Sequence, residues 1–366
     1  MMKGTKYFKL FDTESNYETY IGGDEVYLPN VSLTLDNNVV HYNPLPPHDY
    51  SQDYLTFNVL SSGNIVWRPI SGETIQYSKN DSNWTNLASN GTLSVSNGDK
   101  VKFKGTVNNP SYGFSATTSS YNIEGNIMSL IGGDNFQTLS TAKEFGHLFQ
   151  GTNVINAEHL VLPATTIVNY CYSKMFANCA LLETTPETLP VANKTQCFAQ
   201  MFQNCVSITK GPTLPATYVD WQSYSYMFDG CTNLKEAPEL PAVDFYQYSY
   251  EGMFQNCTSL TEAPSLPATS MKKWCYANMF KGCTSLIKAP DLPSARPREN
   301  SYYCMFSGCT NLNYVKCLAT NISDSNCTYK WMDGVASTGT FVKKSSMSSW
   351  TTGVDGIPNG WTVESE

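Results

Sequence analysis

The sequence predicts a protein that is mainly β with short helices: N-terminal β modules, then a repeat solenoid, then a β C-terminal cap. Three observations carry this expectation. Met-Phe recurs six times at intervals of 26 residues, from Met175-Phe176 to Met305-Phe306. A fixed period of roughly 20–50 residues is the mark of a solenoid. Ahead of the repeats, apolar and polar residues alternate at period two, as half-buried strands require. Behind them, GTFVKKSSMSSWTTGVDGIPNGWTV reads as a β-cap over 334–366.

Residues 1–50 contain two short strand-like runs, an Asp36-Asn37-Asn38 turn and a proline-rich exit. So few core positions in so short a segment would fold poorly alone. The segment is expected to dock on a partner through Tyr17, Tyr20, Ile21, Leu28, Pro29, Tyr42 and Pro44. The plainer reading is a hairpin packed on the next domain. In residues 51–127 the alternating positions are Leu55, Phe57 and Val59, Ile65 and Trp67, Ile75 and Tyr77, Leu93 and Val95, and Val101 and Phe103. Asn90-Gly91 and Asn97-Gly98 supply tight-turn chemistry. Together they predict a small β-sandwich-like domain that caps the first repeat.

Residues 128–333 keep the 26-residue beat in several columns. Cys179, Cys205, Cys231, Cys257, Cys283 and Cys309 form one; eight residues earlier, Cys and Ser interchange at Cys171, Cys197, Ser223, Ser249, Cys275 and Ser301. The next position is aromatic throughout: Tyr172, Phe198, Tyr224, Tyr250, Tyr276, Tyr302. Cys275, Tyr276, Met279 and Phe280 have the spacing of one face of a short helix. Gly or Asn follows in every copy, suiting a left-handed helix end. Leu260 to Leu266 reads as a short extended stretch between prolines, limited in length because proline cannot donate to a ladder. Stacked turns would then form a parallel ladder of about 4.8 Å per rung.

The pattern MF-x-[GN]-C-[TV]-[SN]-[LI], followed by A-P-x-L-P, resembles the bacterial leucine-rich repeats often called BspA-like. The resemblance covers residues 144–333 and implies a leucine-rich-repeat solenoid. The first copy departs from it, because TTPETLP carries an extra residue before Leu189. The N-terminal block resembles segments of virion-associated proteins of crAss-like phages of gut bacteria. The shared pieces are Tyr17-x-x-Tyr20-Ile21, Leu28-Pro29-Asn30-Val31 and Val40-x-Tyr42-Asn43-Pro44.

Twelve cysteines and four histidines invite a metal or nucleophile reading, but the spacings oppose it. There is no C-x2-C pair, and Ser223 and Ser249 stand where a thiolate ligand would be needed. A buried ladder of small side chains is the plainer account. No P-loop or GxGxxG occurs. We expect no cofactor, no metal and no enzymatic activity. The N-terminus lacks an apolar secretory core, so cytosolic synthesis and reduced thiols are expected.

Only 15% of residues are charged, against roughly 25% in average domains. The net charge of −8 gives no basic footprint for nucleic acid and suits no anionic membrane. Between the core columns run charged stripes, Lys210, Glu236, Glu262 and Lys288, then Thr213, Glu239, Ser265 and Asp291. Returning loops carry Tyr218, Trp221, Phe245, Tyr246, Tyr248, Met271 and Trp274. The stripes are either contact positions or merely solvated; the loop aromatics are either a contact ridge or packing. The resemblances imply a phage virion structural protein, attached to capsid or tail by its N-terminal segment. Its solenoid would meet host-surface protein or glycan, the chain would be a homo-oligomer, and no membrane insertion is expected. A bacterial surface adhesin is the alternative implied by the repeats alone.

Overall fold

The structure is a computed structural model that describes residues 49–348 and 350–366, together with the backbone of four strands nearer the N-terminus. The chain forms two compact units, Met1–Asp49 and Tyr50–Glu366. It is mainly β, and its one α-helix among the described residues is Ser129–Gly132.

In the first unit, β1 (Phe8–Thr13) pairs antiparallel with β2 (Asn16–Tyr20), and β3 (Val31–Asp36) with β4 (Val39–Pro44). Tyr17 and Tyr20 lie opposite Phe11 and Phe8; Tyr42 and Pro44 lie opposite Leu33 and Val31. Ile21, Leu28 and Pro29, also expected to dock, lie outside the described residues.

The second unit opens with β5 (Leu55–Val59), β6 (Gly63–Trp67), β7 (Ile75–Lys79), β8 (Thr85–Leu87), β9 (Gly91–Val95), β10 (Lys100–Lys104) and β11 (Ser120–Asn126). Alternation produces the core face: Leu55, Phe57, Val59, Val101 and Phe103 are buried. One sheet runs β11-β5-β10-β7-β8, and β6 pairs with β9. Phe114 packs on rings from both, with centroids 4.8 Å from Phe57 and 4.9 Å from Trp67. The Asn-Gly signals do mark tight turns, with Gly91 N–H donating to Ala88 and Asp99 N–H to Ser96. Neither closes a hairpin: β8, β9 and β10 pair with β7, β6 and β5 respectively, so each turn carries the chain between sheets.

β11 is the seam with the repeats. One edge pairs antiparallel with β5; the other pairs parallel with β12 (Asn153–Asn156) and β13 (Leu160–Val161). Beyond it the 26-residue copies hydrogen-bond one to the next. Their extended stretches meet as parallel bridges such as Lys210↔Glu236 and Glu262↔Lys288. Pro212, Pro238, Pro264 and Pro290 follow two residues behind, and without an N–H they keep these contacts short. Two-residue parallel strands, β14 (Tyr218–Val219) and β15 (Asp244–Phe245), add a second contact line. β16 (Tyr314–Cys317), β17 (Thr340–Lys343) and β18 (Thr362–Ser365) form a three-stranded parallel sheet at the C-terminal end.

The helix expected in each copy is not there. The segment through Met-Phe is a ribbon of linked turns in which backbone N–H groups alternate between two kinds of partner. Ala277, Met279, Lys281 and Cys283 donate three residues back, to Trp274, Tyr276, Asn278 and Phe280. Tyr276, Asn278, Phe280 and Gly282 donate to the next copy, to Ser301, Tyr303, Met305 and Ser307. An α-helix would keep all these donors inside the segment. The ribbon needs a left-handed residue every fourth position: Trp274, Asn278 and Gly282 have φ of 61°, 56° and 76°. The Gly/Asn column is thus left-handed, as its composition implied, but it ends a turn ribbon.

Each rung contributes one ring to each of two columns. From Phe149 through Phe176, Phe202, Phe228, Phe254 and Phe280 to Phe306, successive centroids lie 5.3–5.7 Å apart. A second column runs from Phe145 and Tyr172 through Phe198, Tyr224, Tyr250, Tyr276 and Tyr302 to Trp331. Such pairs contribute about 0.5–1.5 kcal/mol each beyond burial. The extra residue before Leu189 is absorbed by a 25-residue register, Thr188 bridging Thr213.

Met253 is fully buried. Met253→Asp is expected to abolish the cooperative melting transition, since an unpaired buried charge costs more than about 4 kcal/mol. Gly252 combines φ of +59° with a position where any Cβ would overlap the Tyr226 ring, whereas Gly72 (φ +70°) faces open space. Gly252→Ala should therefore lose about 2–4 kcal/mol and Gly72→Ala about 1 kcal/mol or less, read by urea denaturation. Equal losses would show that the ring contact contributes nothing.

Candidate functional site

The cysteine columns belong to the fold. The thiols of Cys205, Cys231, Cys257, Cys283 and Cys309 donate to the carbonyls of Phe176, Phe202, Phe228, Phe254 and Phe280 in the preceding copy, at 3.0–3.2 Å. The same carbonyl takes the N–H of its own copy's cysteine, as Phe176 takes that of Cys179. Three members of the Cys/Ser column do likewise: Cys171 donates to Lys143 O at 2.9 Å, Ser223 to Lys194 O at 2.7 Å and Ser249 to Asp220 O at 3.2 Å, whereas the Ser301 hydroxyl is buried without a partner among the described residues. Thiol and hydroxyl serve the same kind of carbonyl acceptor at these positions, which is how the two residue types interchange there. All twelve cysteines are buried and free. Burial pushes Cys179 up to about 11 and Cys309 up to about 12, so these thiols are protonated and poor nucleophiles at neutral pH. Among the described residues no group of three or more His, Cys, Asp or Glu gathers to hold a metal ion. His147 shares a 2.8 Å hydrogen bond with Gln150 and stacks on Tyr112 at 4.2 Å, while His159 stacks on Tyr50.

The charged stripe lies where the spacing put it. Lys210, Glu236, Glu239, Glu262 and Asp291 are exposed. Lys210 and Glu236 approach to 3.4 Å with side chains 73% and 68% exposed, and such a pair is worth little against solvent screening. Asp291 reaches Lys316 at 3.5 Å, and Lys288 lies over the Tyr314 ring. Lys210 and Lys288 offset Glu236 and Glu262, so the first line has no net charge, while Glu239 and Asp291 add two negative charges beside it.

The loop aromatics divide. Phe245, expected on the contact ridge, is buried at 1% exposure, and Met271 is buried too. In β15 the side chains alternate, and Phe245 falls on the inward side with its register partner Val219, packing on Tyr250 and Tyr276. Its neighbour Tyr246 points out and is 50% exposed. Trp221, Tyr248 and Trp274 are partly exposed and join in one row. Trp221 meets Tyr248 edge-on at 6.3 Å, and Tyr248 stacks on Trp274 at 5.8 Å. The row continues through two residues that spacing alone did not single out, Tyr303 at 5.4 Å from Trp274 and Tyr329 at 5.0 Å from Tyr303. Their signal was available, since they stand 26 residues apart beside the Met-Phe segments. Tyr248 and Trp274 occupy left-handed positions of the turn ribbon, which fixes their direction. Below the row, Tyr226 donates its hydroxyl to Glu251 at 3.0 Å, and burial holds that carboxyl above its ordinary range.

Comparison of the chain with protein-family models, with curated proteins and with solved structures yields no match. No helix among the described residues is long and apolar enough to cross a membrane.

Buried thiols make stability pH-dependent. Their folded pKa values lie above the unfolded value of about 8.5, so the stabilisation is complete below that pH. It declines as pH rises toward the folded values, by roughly 1.4 kcal/mol per pH unit for each thiol the unfolded chain ionises. Under reducing conditions the melting temperature should fall steeply above pH 9, reported by circular dichroism. Cys205→Ser should cost little at pH 7 and lessen the alkaline slope; an unchanged slope across several such variants would refute the thiol account.

Proposed function

We propose that the 26-residue stack is a leucine-rich-repeat-type solenoid serving as a non-enzymatic display surface, with the Trp221–Tyr329 row as its contact face. The observation that carries this reading is the row itself. Five partly exposed aromatic residues from successive copies are held in one line, while the cysteine thiols are buried. Rings on a fixed scaffold give contact area with little side-chain entropy left to lose. The low charge content suits surface-to-surface contact, and nothing in the net charge of −8 favours nucleic acid.

The setting we propose is a phage virion, with the chain a capsid- or tail-attached structural protein and a homo-oligomer. Its first unit would bind other virion proteins, and the row would meet protein or glycan on the host surface. Support comes from the likeness of the N-terminal segment to virion-associated proteins and from the repeat pattern. Immunogold electron microscopy with antibody to residues 144–333, applied to a lysate of the native source, tests it. Label on phage particles is the expected result. Label on cell envelopes with bare particles would replace the virion setting by a bacterial surface adhesin.

A further inference from the structure

Beside the aromatic row lies an open groove of about 530 Å³, whose wall includes Gln247, Lys272, Lys273, Arg296 and Arg298. Four cations meet here in a chain of net charge −8. Two carboxylates reach them: Glu299 pairs with Lys273 at 2.5 Å, and Asp324 takes Arg296 at 2.8 Å and Arg298 at 3.8 Å. Lys272 has no ion pair among the described residues. The groove therefore keeps excess positive charge, and no carboxylate stands in its wall.

Groove and row are continuous. Gln247 and Lys273 immediately precede Tyr248 and Trp274, and Tyr248 N–H donates to Lys273 O. Trp274 has Tyr248 stacked at 11° and Tyr303 tilted at 42°, so the rings beside the cations are held by their neighbours.

We propose that this groove, with the adjoining Tyr248 and Trp274, binds an anionic saccharide: a glycan bearing carboxylate or sulfate groups. The donors around the groove choose saccharide over acidic peptide. Gln247, Thr269 and Ser270 add an amide and two hydroxyls to the four cations, which matches a ligand dense in hydroxyls and anions. A peptide would need an apolar anchor pocket, but Met271, the large apolar residue of the wall, is itself buried at 5% exposure. Arg298 presents its planar fork to a carboxylate or sulfate, and Lys272 adds a point charge beside it. The proposal rests on the reading of this face as a contact surface and names its ligand class.

The test is binding of the full chain to polygalacturonate, dextran sulfate, uncharged dextran and duplex DNA by titration calorimetry. Binding to at least one anionic glycan with Kd below about 1 mM is expected, together with weakening as salt rises past roughly 0.1 M and no binding to dextran. Lys272→Ala with Arg298→Ala should weaken it at least tenfold at an unchanged melting temperature; Glu239→Gln with Glu262→Gln should not. If neither anionic glycan binds, the proposal is overturned. Equal binding to dextran, equal binding to DNA, or indifference to the Lys272/Arg298 pair overturns it too. Retention of the chain on bacterial cells without glycan binding would sink this proposal and leave the contact surface standing. Glycan binding that depends on the groove, with bare particles in microscopy, would do the reverse for the virion setting.

Discussion

The alternation of backbone donors along the Met-Phe ribbon is the constraint on which the remainder hangs. Every second N–H is committed to the neighbouring copy, so no copy satisfies its own backbone, and buried unpaired N–H groups are costly. Two consequences follow directly. A left-handed residue is required at every fourth position; the last of these in each copy is Asn or Gly, and the first forces Tyr248 and Trp274 into the same conformation. Copies must also lie in one fixed register, which aligns Phe with Phe and each cysteine thiol with the Phe carbonyl behind it.

Much of this was legible in the sequence, and what was not has a definite cause. Column identity, burial of Met, Phe and Cys, the left-handed Gly/Asn position and the strand alternation before residue 104 all follow from period and composition. Cys275, Tyr276, Met279 and Phe280 suggest a helix because they repeat every four residues, close to the 3.6 of a helix. Four is the true period here, set by linked turns. The difference lies in where the N–H groups point, and half of those partners are about 25 residues distant.

The aromatic row and its surroundings show the same limit. Exposed Tyr246 and buried Phe245 are adjacent, and only the pairing of β15 with β14 decides which one turns inward. Lys272, Lys273, Arg296 and Arg298 are unremarkable in a linear reading, since they belong to different copies and different loop lengths. The stack brings them into one groove. The front sheet joins through β11, whose second edge gives the first copies the parallel partner that a free end would lack.

Because each copy offers its predecessor the same set of acceptors that it requires from its own successor, the stack has no privileged length. Unequal crossing-over between two copies in the gene would insert or remove 26 codons and leave every remaining junction chemically equivalent. The scaffold therefore tolerates growth and contraction as a unit of inheritance, while the loops on each rung are free to drift. A surface under selection for novelty could be rebuilt rung by rung without a new fold having to arise.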